Sequence, residues 1–249
     1  MKRQRLNWQE KVRKNVRKIM DFEHVKAVFE EYLNGYDREN DKVKLKIVHT
    51  YGVIRCSEEI GRFEQLKRFN SFEADTMDHA TYGVQVLFEE GMIRQFIEED
   101  TWDDVIRTAI AKHSDYELTG ITDERTLLHA RLIRDADKLD NCRVKLEDAM
   151  ETLLDLSADE VGKYAISPKV REDAFAGKCI CSKDRRTPMD YWVSYVAYFY
   201  DLNFRETLDI VAEEQYVKRI IGRVPYTNEQ TKKTMEELER QLTEYVRRK

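Results

Sequence analysis

The sequence predicts an all-helical protein, and three observations support this expectation. Glycine and proline together account for only 12 of the 249 residues, about 5%, whereas an average chain contains roughly 12%. Charged residues make up 37% of the chain, and Glu, Lys and Arg all favour helices. Apolar residues recur at steps of three and four positions, as they do along one side of an amphipathic helix.

The helices can be placed in order along the chain. The first covers residues 21–33, where Phe22, Val25 and Phe29 lie on one side before a stop at Gly35. Residues 64–78 have no clean period and are predicted to form a long loop, and loops of that length are often functional. The remaining helices are predicted at residues 41–60, 79–90, 101–113, 123–139, 143–156, 191–200 and 227–247.

Local signals predict how several of these helices begin and end. Thr101 is predicted as an N-cap, residues 227–230 match a capping box, and Pro168 suits a first turn whose segment ends at Gly177. The segment 191–200 is apolar nearly all round, which is typical of a buried helix. The apolar stripe of the final helix either packs on its own domain or forms a homodimer contact.

Composition and charge exclude several classes of protein. The 43 Lys and Arg against 48 Asp and Glu give a net charge of -5, which does not suit general binding of long nucleic acids. No uncharged run exceeds ten residues, whereas a membrane-spanning helix needs about twenty. The basic first residues lack a following apolar segment, so we expect a cytoplasmic protein without a secretory signal. The four cysteines are expected to be free thiols.

Three of the five histidines occupy informative positions. His49 lies in the middle of a helix on an otherwise apolar face, His79 begins a helix, and His113 ends one. Taken alone, each is more often a hydrogen-bonded core or helix-end histidine than a metal ligand.

The strongest local pattern is the aspartate-rich segment 133–141. Asp137 shares a helical face with Ala130 and Ile133, so at least one carboxylate of this segment is expected to point into the bundle. A buried carboxylate must be paired or bound to a metal, because an isolated charge is very costly in an apolar interior. The alternative is a surface network that joins Asp135 to Lys138 or Asp137 to Arg134.

The order of these motifs resembles the HD superfamily of metal-dependent phosphohydrolases. His49 in a helix, residues 78–80 opening a helix after a loop, His113 at a helix end and the segment 135–139 follow the family order, and residues 61–65 are similar to the segment after the family's His-Asp doublet. The resemblance covers about residues 42–141. It implies an HD-like helical bundle over residues 1–157, with residues 158–249 as a helical C-terminal extension packed on it or merged with it in one domain.

The resemblance also implies a metal site. His49 and Asp137 would be the outer ligands of the primary metal, and His79 and His113 would be the additional histidines of the two-metal branches. Asp137 would also be catalytic. A mixture of His and Asp suits Mn, Fe, Co, Ni or Zn, and Mg is a further candidate. These four residues are therefore expected to converge on one pocket.

The chain departs from the family at the doublet itself. It reads Ser-Glu-Glu-Ile-Gly over residues 57–61 where the family has His-Asp before Ile-Gly-Arg, and it contains no His-Asp dipeptide. Either Glu58 and Glu59 substitute for the doublet, or a helix and its connection have been lost between His49 and Phe63. We favour the loss, because Ile60-Gly61 looks like a join between two family segments. Under substitution, Glu59 is the catalytic candidate.

The function implied is a divalent-metal phosphohydrolase that acts on a nucleotide or another small phosphoester and is impaired in the chain as written. No long nucleic acid and no membrane is expected as a partner. The alternative is a catalytically silent HD-like domain with a binding or assembly role. Candidates for phosphate contact, each of which could equally be a solvated surface residue, are Arg62, Lys67, Arg68, Lys183, Arg185 and Arg186.

Overall fold

The computed structural model describes residues 22–40 and 79–249, and this part of the chain forms eleven α-helices and no strand. The all-α prediction is confirmed. The helices are α1 (Phe22–Tyr32), α2 (His79–Val84), α3 (Asp103–Lys112), α4 (Glu124–Glu147), α5 (Met150–Leu154), α6 (Ala158–Val161), α7 (Pro168–Phe175), α8 (Pro188–Ala197), α9 (Arg205–Glu213), α10 (Tyr216–Ile221) and α11 (Glu229–Arg248). Short 3-10 segments cover Leu33–Gly35, Met92–Gln95, Ser182–Asp184 and Tyr198–Asp201, and Gln85–Glu89 is π-helical.

Helix α4 is the central element of the described structure. It packs against α3, α9 and α10, and α11 in turn packs against α7, α9 and α10. The largest apolar cluster takes residues from every helix between α4 and α11, including Leu132, Leu139, Trp192 and Leu238. The residues on both sides of position 157 therefore share one core, while the predicted division into two units stays a prediction.

A smaller cluster lies on the other side of α3. Ile106 and Ile110 of α3 pack with Ile93 and Ile97, and partly buried residues of the α2 region complete it. Ala109 faces Ala130 and Ile133 of α4, and small residues at this contact let the two helices approach closely. The end of α3 is thereby held beside the middle of α4.

Helix α4 corrects the predicted break near residue 140. The sequence predicts separate helices at 123–139 and 143–156, whereas one helix runs from Glu124 to Glu147. Asp140 and Asn141 do not interrupt it, because Asp140 accepts hydrogen bonds from Arg143 and the Asn141 amide donates to the Asp137 carbonyl. The chain leaves the helix at Asp148, where the backbone becomes extended.

Two predicted caps are also corrected. Helix α3 follows Trp102 rather than Thr101, and Trp102 provides no side-chain cap. Helix α11 is capped by Asn228, whose side chain accepts a hydrogen bond from the Thr231 amide at 2.9 Å. Thr227 instead donates its backbone N–H to the Gly162 carbonyl at 3.0 Å.

Other predictions are confirmed. Pro168 begins α7, and Gly177 follows with a left-handed backbone at φ 72°. The buried helix predicted at 191–200 corresponds to α8 and the 3-10 segment after it, with Trp192, Val193 and Val196 in the core. Met235, Leu238 and Leu242 of the α11 stripe are also fully buried in the chain's own core. The predictions for residues 41–60 and 64–78 lie outside the described residues.

None of the helices described here combines the length and the apolar character that crossing a bilayer requires.

Candidate functional site

The predicted site residues divide into those whose side chains are described and those that are not. His49, Glu59, Arg62, Lys67 and Arg68 lie outside the described residues, as does Glu58. His79 begins α2, but only its backbone is described. The side chains of His113, Asp137, Lys183 and Arg185 can be placed. The predicted convergence of all four metal ligands therefore stays a prediction.

His113 is a buried side chain at the C-terminal end of α3. Its Nδ1 lies 2.8 Å from the carbonyl oxygen of Ile110, one turn earlier. Because the carbonyl can only accept, Nδ1 donates this hydrogen bond, and in the neutral imidazole the lone pair is then on Nε2. Metal-binding histidines are commonly oriented by a hydrogen bond of this kind from the second ring nitrogen.

Arg134 fastens the end of α3 to α4. Its guanidinium is almost completely buried and donates to the carbonyls of His113 at 2.9 Å and Tyr116 at 3.0 Å. Its Nε donates to Asp201 at 2.7 Å. Asp137 follows Arg134 by three residues on α4, which places it about one turn along the same side. The backbone carbonyl of His113, one predicted ligand, is thus bound by a residue that lies one turn before Asp137, another predicted ligand.

The aspartate-rich segment contains buried carboxylates, as predicted, but Asp137 is not one of the fully buried ones. Asp135 and Asp140 are the fully buried members, whereas Asp137 is partly exposed at the edge of the packed interior. Asp135 accepts hydrogen bonds from both nitrogens of Asn203 and from the Phe204 amide at 2.8–3.0 Å. Burial raises the pKa of Asp135, and these hydrogen bonds partly oppose that increase. Asp135 therefore anchors the start of α9.

The cations of this segment bind outside their own helix. Arg134 and Lys138 both pair with Asp201 at 2.7 Å. Asp201 ends the 3-10 segment after α8, and it thereby connects α4 to the C-terminal helices. The alternative predicted from sequence was a surface network that paired these cations with Asp135 and Asp137. It did not include Asp201.

A polar row runs along α4 from Asp137. The Asn141 amide donates to the Asp137 carbonyl at 3.0 Å, and Lys145 donates to the Asn141 side-chain oxygen at 3.1 Å. The Lys145 ammonium lies 4.1 Å from the centre of the Tyr195 ring, a cation–π distance. The spacing of four residues puts all three side chains on one face of the helix.

A small cavity lies between this face and the end of α8. Its volume is about 10 Å³, which is room for about one water molecule. Its polar lining consists of Lys138, Asn141, Lys145, Tyr195 and Tyr198. The cavity is too small for a substrate, but it shows that Tyr198 and the residues flanking Asp137 enclose a common space.

The predicted phosphate contacts Lys183 and Arg185 lie on and just after the Ser182–Asp184 segment. Lys183 and Arg186 are exposed. Arg185 is partly buried, with its guanidinium 4.4 Å above the Tyr191 ring. Of these three candidates for phosphate contact, Arg185 is held in position by packing, whereas Lys183 and Arg186 lie on the open surface.

The electrostatics of Tyr198 connect Arg185 with Asp137. Burial is the main cause that raises the pKa of the Tyr198 phenol, and the neighbouring Tyr195 and the negative charge of Asp137 raise it further. The positive charge of Arg185 acts in the opposite direction. Asp137 and Arg185 are therefore both close enough to influence the same hydroxyl.

Sequence reasoning missed Tyr198, Asn141 and Lys145. The tyrosines of α8 lie within the uncharged run that was interpreted as core. Their spacing of four and three residues, at 191, 195 and 198, was the available signal that they share a face. The four-residue steps from Asp137 to Lys145 were a second such signal.

The described ligands can be tested for chemical fit to a divalent metal. An imidazole with its lone pair on Nε2 and a partly exposed carboxylate are suitable donors for a first-row transition metal. Within residues 22–40 and 79–249, no group of three His, Cys, Asp or Glu side chains is arranged to hold a metal ion. His113 and Asp137 fit by type, and a complete site would need the further ligands predicted at His49 and His79.

No family model, no curated protein and no solved structure matches this chain.

Proposed function

We propose that this chain is an HD-like, divalent-metal-dependent phosphohydrolase that acts on a nucleotide or another small phosphoester. The observation that carries the proposal is the arrangement of His113. Its Nδ1 hydrogen bond directs the lone pair to Nε2, and its backbone is bound by Arg134 one turn before Asp137. The proposal assigns Nε2 of His113 and the partly exposed Asp137 carboxylate to the same metal site.

The proposed site assigns distinct roles to the residues of the chain. His49, His79, His113 and Asp137 would hold the metal, which supplies an activated water and neutralises charge on the phosphoryl oxygens. Arg185 binds the phosphoryl group through charge and directed N–H donors. Arg134 keeps the end of α3 in place. A small anionic substrate suits this site better than a long polyanion, since the chain carries a net charge of -5.

The missing His-Asp dipeptide supports a second candidate function. Without the bridging carboxylate that normally orients the attacking water, an HD-like domain can remain as a silent binding or assembly module. We expect weak activity at most from the chain as written. Turnover at about 1 s⁻¹ or faster, the low end of ordinary enzymes, would mean that Glu58 or Glu59 takes the role of the doublet.

The first experiment compares metal content and hydrolysis in three chains. Wild type, Asp137→Asn and the exposed control Asp159→Asn are loaded with Mn²⁺, and bound metal is measured alongside activity on mononucleotides and model phosphoesters. We expect Asp137→Asn to lower Mn²⁺ affinity at least tenfold while the control matches wild type. Equal Mn²⁺ affinity in both variants would show that Asp137 is not a ligand.

A second experiment tests whether a helix that carried the His-Asp doublet has been lost from this chain. A doublet-bearing helix is inserted between Ile60 and Gly61, and metal stoichiometry and phosphoesterase rate are measured before and after. The proposal expects both to rise. An insertion of the same length with the doublet replaced by Ala-Ala is the matched control.

A further inference from the structure

Tyr198 carries a hydroxyl that no hydrogen bond within the described part of the chain uses. It follows α8 as the first residue of the Tyr198–Asp201 segment and is partly exposed. Among the described residues its hydroxyl has no hydrogen-bond partner. A tyrosine hydroxyl is protonated at neutral pH and is a good donor, so this one is available to an acceptor from outside the chain.

The position of Tyr198 relative to α4 follows from the cavity. Tyr198 shares the lining with Lys138 and Asn141, which follow Asp137 by one and four residues in the helix. The Asn141 amide is itself bound to the Asp137 carbonyl. The hydroxyl therefore belongs to the side of the molecule that carries the partly exposed Asp137 carboxylate.

Arg185 packs against the same side of α8 that carries Tyr198. It donates to the Ser182 carbonyl at 3.3 Å and to the Ser194 hydroxyl at 3.5 Å. Ser194 precedes Tyr198 by four residues, so both lie on one side of α8 and its continuation. Within the described part of the chain, Arg185 forms no ion pair with a carboxylate. Its planar group is held in place by the Tyr191 ring, and it retains N–H donors for an oxyanion.

We propose that the Arg185 guanidinium and the Tyr198 hydroxyl together bind one phosphate group beside Asp137. This inference rests on the proposed function and deepens it, because it identifies which phosphate contacts are specific. The arginine supplies the charge and the tyrosine supplies a neutral, directed donor. A phosphate has several acceptor oxygens and can accept from both donors at once.

The test measures binding of inorganic phosphate to the full chain by titration calorimetry, with and without Mn²⁺. The variants are Tyr198→Phe, which removes only the hydroxyl, and Arg185→Gln. Two matched controls accompany them. Tyr191→Phe keeps the ring beneath Arg185 and removes a hydroxyl one helical segment away, and Arg171→Gln removes an exposed arginine that stacks on Phe175 at 5.1 Å.

We expect saturable phosphate binding by wild type, weakened about tenfold by Tyr198→Phe and at least tenfold by Arg185→Gln. About tenfold is the factor for one hydrogen bond to a charged group. The controls should stay within about twofold of wild type, and all variants should keep the wild-type circular dichroism and melting temperature. If Tyr198→Phe binds phosphate as well as Tyr191→Phe does, or if wild type shows no saturable binding, the proposal is overturned.

This readout separates the two proposals because phosphate binding requires no turnover. Phosphate binding that depends on Tyr198 and Arg185 in a chain that never hydrolyses a phosphoester would refute the proposed hydrolysis and support the subsite. Metal-dependent hydrolysis with full activity in Tyr198→Phe and Arg185→Gln would support the proposed hydrolysis and refute the subsite, together with the role given to Arg185.

Discussion

The pairing of Arg134 and Lys138 with Asp201 leads to a quantitative prediction about stability. The Arg134 side chain is 3% exposed and Asp201 is 28% exposed. Replacing Asp201 by Asn keeps the size of the side chain but leaves two poorly hydrated cations without their shared carboxylate. Removing one partner of a buried ion pair typically costs about 3–5 kcal/mol.

The expected cost is smaller here for two reasons. Asp201 is more than a quarter exposed, so solvent already screens part of the interaction. Arg134 also keeps its hydrogen bonds to the carbonyls of His113 and Tyr116. We therefore expect Asp201→Asn to lower the free energy of unfolding by about 2 kcal/mol, or the melting temperature by about 4–8 °C for a chain of this size.

Asp209→Asn is the matched control. Asp209 pairs with Arg205 on the surface, where the two side chains are 47% and 50% exposed. An exposed pair of this kind contributes less than about 0.5 kcal/mol in most cases. Urea unfolding, followed by tryptophan fluorescence, gives the free energy for wild type and both variants, with an unchanged slope expected. If Asp201→Asn costs no more than Asp209→Asn, the connection between α4 and the C-terminal helices through Asp201 has no energetic importance, and our reasoning is refuted.

Three further predictions concern single residues. An added Cβ at Gly162 would lie 2.2 Å from the Pro225 carbonyl oxygen, whereas at Gly35 no described atom lies within 4 Å. Gly162→Ala should therefore lower the free energy of unfolding in urea by about 1–3 kcal/mol. Equal stability of Gly35→Ala and Gly162→Ala would contradict this. Burial raises the pKa of the Cys179 thiol to about 11, so its alkylation at pH 8, resolved by mass spectrometry, should be at least about tenfold slower than that of a model cysteine peptide. A hydrogen bond from the Thr126 side chain lowers the pKa of Asp123 below its ordinary value of 3.8. Its stabilisation is therefore complete above that value and lost as the pH falls below it, so the difference in unfolding free energy between wild type and Asp123→Ala should shrink below about pH 4 and stay constant above about pH 5.

The sequence predicted the parts of the fold that depend on local periodicity. Helices α1, α3 and α8 have continuous apolar stripes, and their positions were found to within a few residues. The break expected near Asp140 was wrong, although Asp and Asn have low intrinsic helix propensity. In the structure Arg143 and the Asp137 carbonyl satisfy these side chains without leaving the helix.

The candidate site shows more clearly that local sequence patterns do not predict long-range contacts. Asp137 and Arg185 could be selected from sequence by residue type and resemblance, and the charges of both influence the pKa of Tyr198. The partner of Arg134 could not be selected, since Asp201 is 67 residues away and no periodic pattern pairs them. Burial of Asp135 in preference to Asp137 likewise depends on Asn203, a long-range contact that becomes visible only when the helices are packed.

The core shared by α4 and α11 has a consequence for synthesis in the cell. Leu132 and Leu139 of α4 belong to the same apolar cluster as Leu238 and Leu242, which follow about a hundred residues later. A ribosome adds roughly 5–20 residues per second, so the emerging chain carries an incompletely covered α4 for about 5–20 s. During that interval its apolar side is open to association with other nascent chains, and a chaperone that binds extended apolar segments should recognise residues 130–145 before α11 has been translated.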